Sequence, residues 1–136
     1  MEKTYMDVED LEVYQKLCKL HIDVCDLSHQ WPPEEKYELG SQARRSSNSA
    51  PAQLAEKHSD RHIKNKIEGV NRSRGEAAET IHHLYMAKLK EYINEAIYGS
   101  YKNVTRSAYE CSTVWKSHWR SICRNATGVG PKNPEP

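Results

Sequence analysis

Apolar positions along this chain recur at helical spacing, and nowhere with the alternation of a strand. Val13, Leu17, Leu20, Val24 and Leu27 are spaced 4, 3, 4, 3, with Tyr14, Cys18, His21 and Cys25 in a row beside them. Such spacing puts one broad apolar face on a helix, predicted over residues 8–29. Asp7, Glu9 and Asp10 favour its N-terminus by charge, and Trp31-Pro32-Pro33 stops it. A second helix is predicted from residue 33, where proline is acceptable in the first turn and Glu34-Glu35 follow. Its stripe is only weakly apolar: Leu39, Ala43, Ser46 or Ser47, Ala50 and Leu54, with Pro51 predicting a kink. A loop at 58–62 leads into a third helix, predicted over 61–89, whose stripe is Ile63, Ile67, Val70, Ala77, Ile81 and Leu84, interrupted by Arg74. Gly69 and Gly75 inside it each cost roughly 1 kcal/mol against alanine, which close helix approach would explain. The fourth helix, predicted over 94–125, has the strongest periodicity: Ile97, Tyr101, Val104, Ala108, Cys111, Trp115, His118 and Ile122. The expected architecture is all-α, an antiparallel up-down-up-down four-helix bundle over residues 1–126, with a flexible Gly/Pro-containing tail at 127–136.

One domain is the natural prior for 136 residues. With no phenylalanine, eight tyrosines and three tryptophans, the core must be largely aliphatic, alanine and amphipathic aromatic. The net charge of +1 hides an asymmetry: residues 1–40 hold ten acidic and four basic side chains, the rest nine acidic and sixteen basic. That excludes a uniformly basic nucleic-acid binder and leaves a bipolar surface. Cys18, Cys25, Cys111 and Cys123 form no close C-x-x-C pair and fall on helical patterns, so buried free thiols are expected. The charged start has no signal-peptide pattern, and no run approaches the ~20 apolar residues of a membrane helix. A cytoplasmic location without membrane attachment is expected, and in that compartment the three Asn-x-Ser/Thr sequons would go unused.

The best functional lead is a polar row on the fourth helix. Lys102, Arg106, Tyr109, Thr113, Lys116 and Arg120 keep their own 4–3 spacing, and Arg124 sits near the end. At about 100° per residue this row lies about 130° from the apolar stripe. Its basic residues could line phosphates and Tyr109 could stack a base, although a solvated face has the same pattern. Arg44 and Arg45 point about 100° apart, one toward a bundle carboxylate such as Glu79 and the other available to an oligomer interface. Arg61, Lys64, Lys66, Arg72 and Arg74 add charge early in the third helix. Arg74, in the apolar stripe, marks either a subunit contact or an internal ion pair with Glu56 or Glu79. Glu79-x-x-His82 is the one helix-borne half of a di-iron-type motif, and its second half is missing, so no metal or other cofactor is expected. Without a glycine-rich phosphate loop or a nucleophile elbow, no catalytic residues are assigned.

Four stretches carry a family resemblance. Val8-Glu9-Asp10-Leu11-Glu12-Val13-Tyr14-Gln15-Lys16, Trp31-Pro32-Pro33-Glu34-Glu35-Lys36-Tyr37-Glu38-Leu39, the segment Ser41-Gln42-Ala43-Arg44-Arg45 through Ser49-Ala50-Pro51 to Ala55-Glu56, and Gly75-Glu76-Ala77-Ala78-Glu79 together resemble the bacterial 23S rRNA intervening-sequence proteins. The third stretch is the most specific. Gln53, Lys57 and Glu76 depart from that family's usual Asn, Gly and Ser. The resemblance implies a four-helix bundle. Through relatives that serve as accessory proteins of diversity-generating retroelements, it also implies a homo-oligomer, a pentameric ring, with a reverse transcriptase and nucleic acid as partners. Three functional readings stay open: a non-enzymatic oligomeric bundle contacting RNA or a protein–RNA complex, a purely protein-binding scaffold, and a metal-dependent bundle enzyme.

Overall fold

The computed structural model describes residues 7–108 and 110. The described part is all-α: a 3₁₀ turn at Val8–Asp10, α1 at Glu12–His29, a second 3₁₀ turn at Pro33–Glu35, α2 at Leu39–His58, α3 at Ile63–Leu89, and α4 over 95–108. No strand occurs among the described residues. The four α-helices share one core, from Val13, Leu17, Leu20 and Val24 of α1 to Leu54, Val70, Leu84, Tyr98 and Ala108.

Helix starts differ from the periodic expectation for local reasons. Before α1 the chain makes a separate 3₁₀ turn, closed where the Asp7 N–H donates to Asp10 Oδ2 at 3.1 Å. The Gln15 side chain then reaches back to the Glu9 carbonyl at 2.8 Å. Pro33-Glu34-Glu35 forms a 3₁₀ turn of its own, and α2 begins only at Leu39. The start of α3 moves to Ile63 because Asp60 accepts the His62 N–H at 2.8 Å and the Asn65 amide at 3.2 Å. Asn94 caps α4, its Oδ1 accepting the Ile97 N–H at 2.9 Å. The α3–α4 turn carries no glycine. Glu91 takes φ 65° there, and the Tyr92 N–H closes back onto the Ala87 carbonyl at 2.9 Å, the six-to-one bond of a Schellman ending.

The seam between α2 and α3 is built from small side chains. Ala43, Ser46, Ala50, Ala77 and Thr80 are fully buried. Ser46 Oγ and Thr80 Oγ1 lie 2.8 Å apart inside it, and Thr80 also donates to the Glu76 carbonyl at 3.0 Å. Burying hydroxyls is tolerable only because each finds a partner. The observed buried row of α3 is Val70, Ser73, Ala77, Thr80, Leu84 and Ala87, not the apolar row through Arg74 and Ile81. Ser73 takes the inward position and Arg74 is exposed. On α4 the seam is likewise rotated by one position. Tyr98, Thr105 and Ala108 are buried, while Val104 is 39% exposed and borders a groove of about 400 Å³ with Leu20, Ile97 and Tyr101. Pro51 lies inside a continuous α2. Cys18 and Cys25 are free thiols, half-buried rather than buried.

Close approach explains one of the two glycines inside α3. A Cβ on Gly69 would stand 2.4 Å from Lys57 Cβ and 3.3 Å from the Gln53 carbonyl, whereas one on Gly75 would meet nothing within 4 Å. Gly69→Ala is therefore expected to lose about 1–2 kcal/mol in urea denaturation, the overpacking cost exceeding the gain in helix propensity. Gly75→Ala gains up to about 1 kcal/mol from propensity alone. Equal shifts in the two variants would refute the close-packed seam at Gly69.

Candidate nucleic-acid interface

Lys102 and Arg106 are both exposed on α4, as their row requires. The same row begins in the core, because Tyr98, four residues before Lys102, is only 9% exposed. Its ring is packed against Tyr85 of α3, centroids 5.7 Å apart, and Tyr85 is 41% exposed. Lys88 Nζ lies 5.3 Å from the Tyr85 centroid and 5.0 Å from that of Tyr98, and Lys102 Nζ lies 5.9 Å from the Tyr98 centroid. The end of α3 and the start of α4 thus bring together two ammonium groups and two tyrosine rings, with Arg106 one turn further on. Glu95 pairs with Lys88 at 2.5 Å, and this hydrogen bond holds the Lys88 ammonium above its ordinary value. Chemically the patch can meet phosphate with Lys102 and Arg106 and can offer Tyr85 as a stacking edge.

Tyr85, Lys88 and Tyr98 escaped the helix-by-helix reading. The signal was present as Tyr85-x-x-Lys88 and Tyr98-x-x-x-Lys102, at three- and four-residue helical spacing. What was missing was the turn that brings the two pairs together. Tyr109, Lys116, Arg120 and Arg124, with Cys111, Cys123, His118 and the tail, lie outside the described residues.

The turn is held by a buried carboxylate. Glu35 Oε1 accepts from Lys90 Nζ at 2.7 Å and from the Tyr92 hydroxyl at 3.1 Å, while Oε2 accepts the Leu39 N–H at 3.2 Å. Tyr92 also packs on Trp31, centroids 6.0 Å apart. One side chain therefore joins the second 3₁₀ turn, the start of α2 and the α3–α4 turn that sets Lys88 against Tyr98. The Lys90 hydrogen bond is the largest of the contacts that hold the Glu35 carboxyl below its usual range, against the opposing effect of burial.

The arginine pair divides between two intrachain contacts, one of them the expected carboxylate. Arg45 reaches Glu79 across the α2–α3 seam at 3.0 Å. Both groups are well exposed, so the pair is worth at most about 1 kcal/mol. Arg44 turns the other way, donating to Ser28 Oγ at 3.0 Å and to the Lys36 carbonyl at 2.6 Å. Beside Arg45, burial pushes the Glu76 carboxyl up, and a hydrogen bond shared with Glu79 adds to this. Burial also works against the charge on Glu79, but the contacts with Glu76, Arg45 and His83 outweigh it and hold Glu79 low. Burial lowers the His83 pKa, against the opposing pull of Glu79. Arg74 stands at the rim of a narrow space lined by Val13, Leu17, Leu54 and Ala108. His82 is exposed. Among the described residues no group of three or more His, Cys, Asp and Glu side chains could hold a metal ion, and no helix is long and apolar enough to cross a membrane.

A protein-family model described as 23S rRNA-intervening sequence protein matches residues 9–113. That span takes in all four helices and every residue of the aromatic–basic patch. No curated protein matches the sequence.

The Glu35 contacts make stability depend on acid. A carboxyl held low in the folded chain contributes its stabilisation fully above the unfolded value near 4.5, and loses it as pH falls through the lower folded value. Urea midpoints measured from pH 7 down to pH 3 are expected to fall less steeply for Glu35→Gln than for the native chain, with the variant already weaker at pH 7. Identical acid limbs would show that Glu35 does not carry this linkage.

Proposed function

This chain belongs to the 23S rRNA-intervening sequence protein family, and from that premise we propose that it is a non-enzymatic, homo-oligomeric helical bundle that contacts RNA or a protein–RNA complex through the basic residues of α3 and α4. The observation that carries the reading is the patch formed by Tyr85, Lys88, Tyr98 and Lys102 with exposed Arg106 beside it. It combines an electrostatic contact for the backbone with an aromatic edge for a base, the pairing that single-stranded RNA sites use. Along the sequence the row continues to Tyr109, Lys116, Arg120 and Arg124.

The same proposal includes an up-down-up-down course and a bend of α2 at Pro51. Contacts of Ser28 with Arg44 and of His21 with Ser47 support the first, as do Arg45 with Glu79 and the approach of Lys57 to Gly69. The N–H that Pro51 lacks supports the second. Subunit contacts are assigned to exposed Arg45 and Arg74, while Arg44 serves mainly within the chain. In a ring such as the pentamer of the retroelement accessory proteins, each subunit would present the patch once, so modest contacts gain by repetition. A cytoplasmic setting fits this role. The charge split between the first forty residues and the rest also favours a second reading, in which the acidic segment of one subunit packs on the basic face of the next and the assembly binds protein only.

Filter binding with a single-stranded RNA oligonucleotide over a salt series separates the two. Retention is expected to fall linearly in log–log form. Lys102→Ala combined with Arg106→Ala should reduce that slope by about 1.4, roughly 0.7 for each phosphate no longer neutralised. Tyr85→Ala should weaken binding by about 1–3 kcal/mol, with little change in slope. No retention at low salt, or a slope indifferent to the double substitution, would overturn the RNA reading and leave the protein-only scaffold.

A further inference from the structure

Away from the aromatic–basic patch, α4 carries a surface of opposite character. Over 95–108 its charged residues are Glu95, Lys102 and Arg106. At about 100° per residue all three fall on one flank of the helix, the one that carries the patch and the Lys88–Glu95 pair. The other flank is uncharged, in a chain where 29% of residues are charged. Ala96, Ser100, Asn103 and Val104 are all exposed there. Next to them Ile97, Tyr101 and Val104, with Lys19, Leu20 and Asp23 of α1, line the groove of about 400 Å³. The α1 wall closes its own charges. Lys19 Nζ pairs with Asp23 at 3.0 Å, and Lys16 Nζ pairs with Glu12 at 3.1 Å while it donates to Ser107 Oγ of α4 at 2.8 Å.

Exposed apolar side chains beside a groove mark an interaction surface, and the centre of such a surface is poor in charge. A face of this kind offers little to a phosphate backbone. It suits a helix whose own contact surface is uncharged and whose side chains are small enough for close approach. The α4 face has that character itself: Ala96, Ser100 and Asn103 make a short row beside the apolar one, and two such faces meet without like charges opposed. A surface that complements its own copy is what a two-fold contact requires. We propose that two copies of this chain pack α4 against α4 about a two-fold axis, Val104 of each entering the α1–α4 groove of the other, a contact that rests on the homo-oligomer proposed above and gives it a surface. Arg45 and Arg74, assigned there to subunit contacts, lie on α2 and α3, so the α4 contact is separate from theirs. A two-fold contact joins copies in pairs, and its loss halves the assembled mass.

The test is light scattering and sedimentation of the full chain over a concentration series. Ser100→Glu and Val104→Glu are each expected to halve the mass, raising the dissociation constant of this step about tenfold or more, because like charges then meet across the contact. Ser100→Lys alone does the same, and an equimolar mixture of Ser100→Glu with Ser100→Lys recovers the native mass. Gln30→Glu, which adds the same charge at an exposed site after α1, leaves the mass unchanged. Circular dichroism checks folding, and should Val104→Glu fail to fold, the exposed Ser100 variants decide alone. A native chain that stays monomeric throughout contradicts this contact and the homo-oligomer together. A native oligomer indifferent to Ser100→Glu and Val104→Glu overturns the contact and leaves the homo-oligomer standing. Dissociation of both Ser100 variants without recovery in the mixture shows that α4 meets a different surface, and likewise overturns the two-fold contact.

Discussion

The structure depends on how closely α2 can approach α3. Ala43, Ser46 and Ala50 on one helix and Ser73, Ala77 and Thr80 on the other leave no room for larger side chains, and Gly69 has no Cβ because Lys57 already fills that space. Apolar area alone is a weak force here, since alanine and serine bury little of it. What the seam gains instead is dense contact between helices and paired hydroxyls, which cost little when both partners are satisfied. The larger apolar residues, Leu17, Leu20, Leu54 and Leu84, then fill the space around that seam.

The aromatic–basic patch follows from where this packing leaves the ends of the helices. With α3 pinned to α2, its last turns carry Tyr85 and Lys88 to the start of α4. Glu35 closes the arrangement from the opposite side of the turn, gripping Lys90 and Tyr92 while it receives the first N–H of α2. A buried carboxylate with three donors on three segments ties them together, and losing a donor leaves its charge less well compensated. The aromatic–basic patch is therefore held by core contacts on three segments. The other side of α2 is tied to α1 by polar contacts, His21 Nδ1 lying 2.9 Å from Ser47 Oγ and Arg44 donating to Ser28 Oγ at 3.0 Å, so the helix with the least apolar stripe joins both neighbours.

Much of the described fold could be read from spacing. Each described helix overlaps a 4–3 repeat, although α1 and α2 start later than predicted, and α1 buries Val13, Leu17, Leu20 and Val24 as its pattern predicts. The errors in the buried rows are of one kind. A rule that follows apolar residues chose Ile81 and Val104 over Thr80 and Thr105, because it has no means of knowing that a hydroxyl will find a partner in the core. The Arg45–Glu79 pair was legible, since both residues lie in the stretches that resemble the family and face each other across adjacent helices. The Tyr85–Lys88–Tyr98–Lys102 cluster was not, because it depends on the turn at Glu91, whose positive φ no glycine announced. Glu35 was equally hidden: in sequence it is one of two adjacent acids at a helix start, and only the fold distinguishes the buried one from its exposed neighbour Glu34.

The central claim is that small side chains at the α2–α3 seam set the whole arrangement. Ser46→Leu, compared with Ser46→Ala in urea denaturation, tests it most directly, since the two differ mainly in volume at a fully buried position facing Thr80. The account predicts that leucine lowers stability by at least about 2 kcal/mol, and alanine by about 1 kcal/mol or less. A leucine variant as stable as the native chain would contradict it.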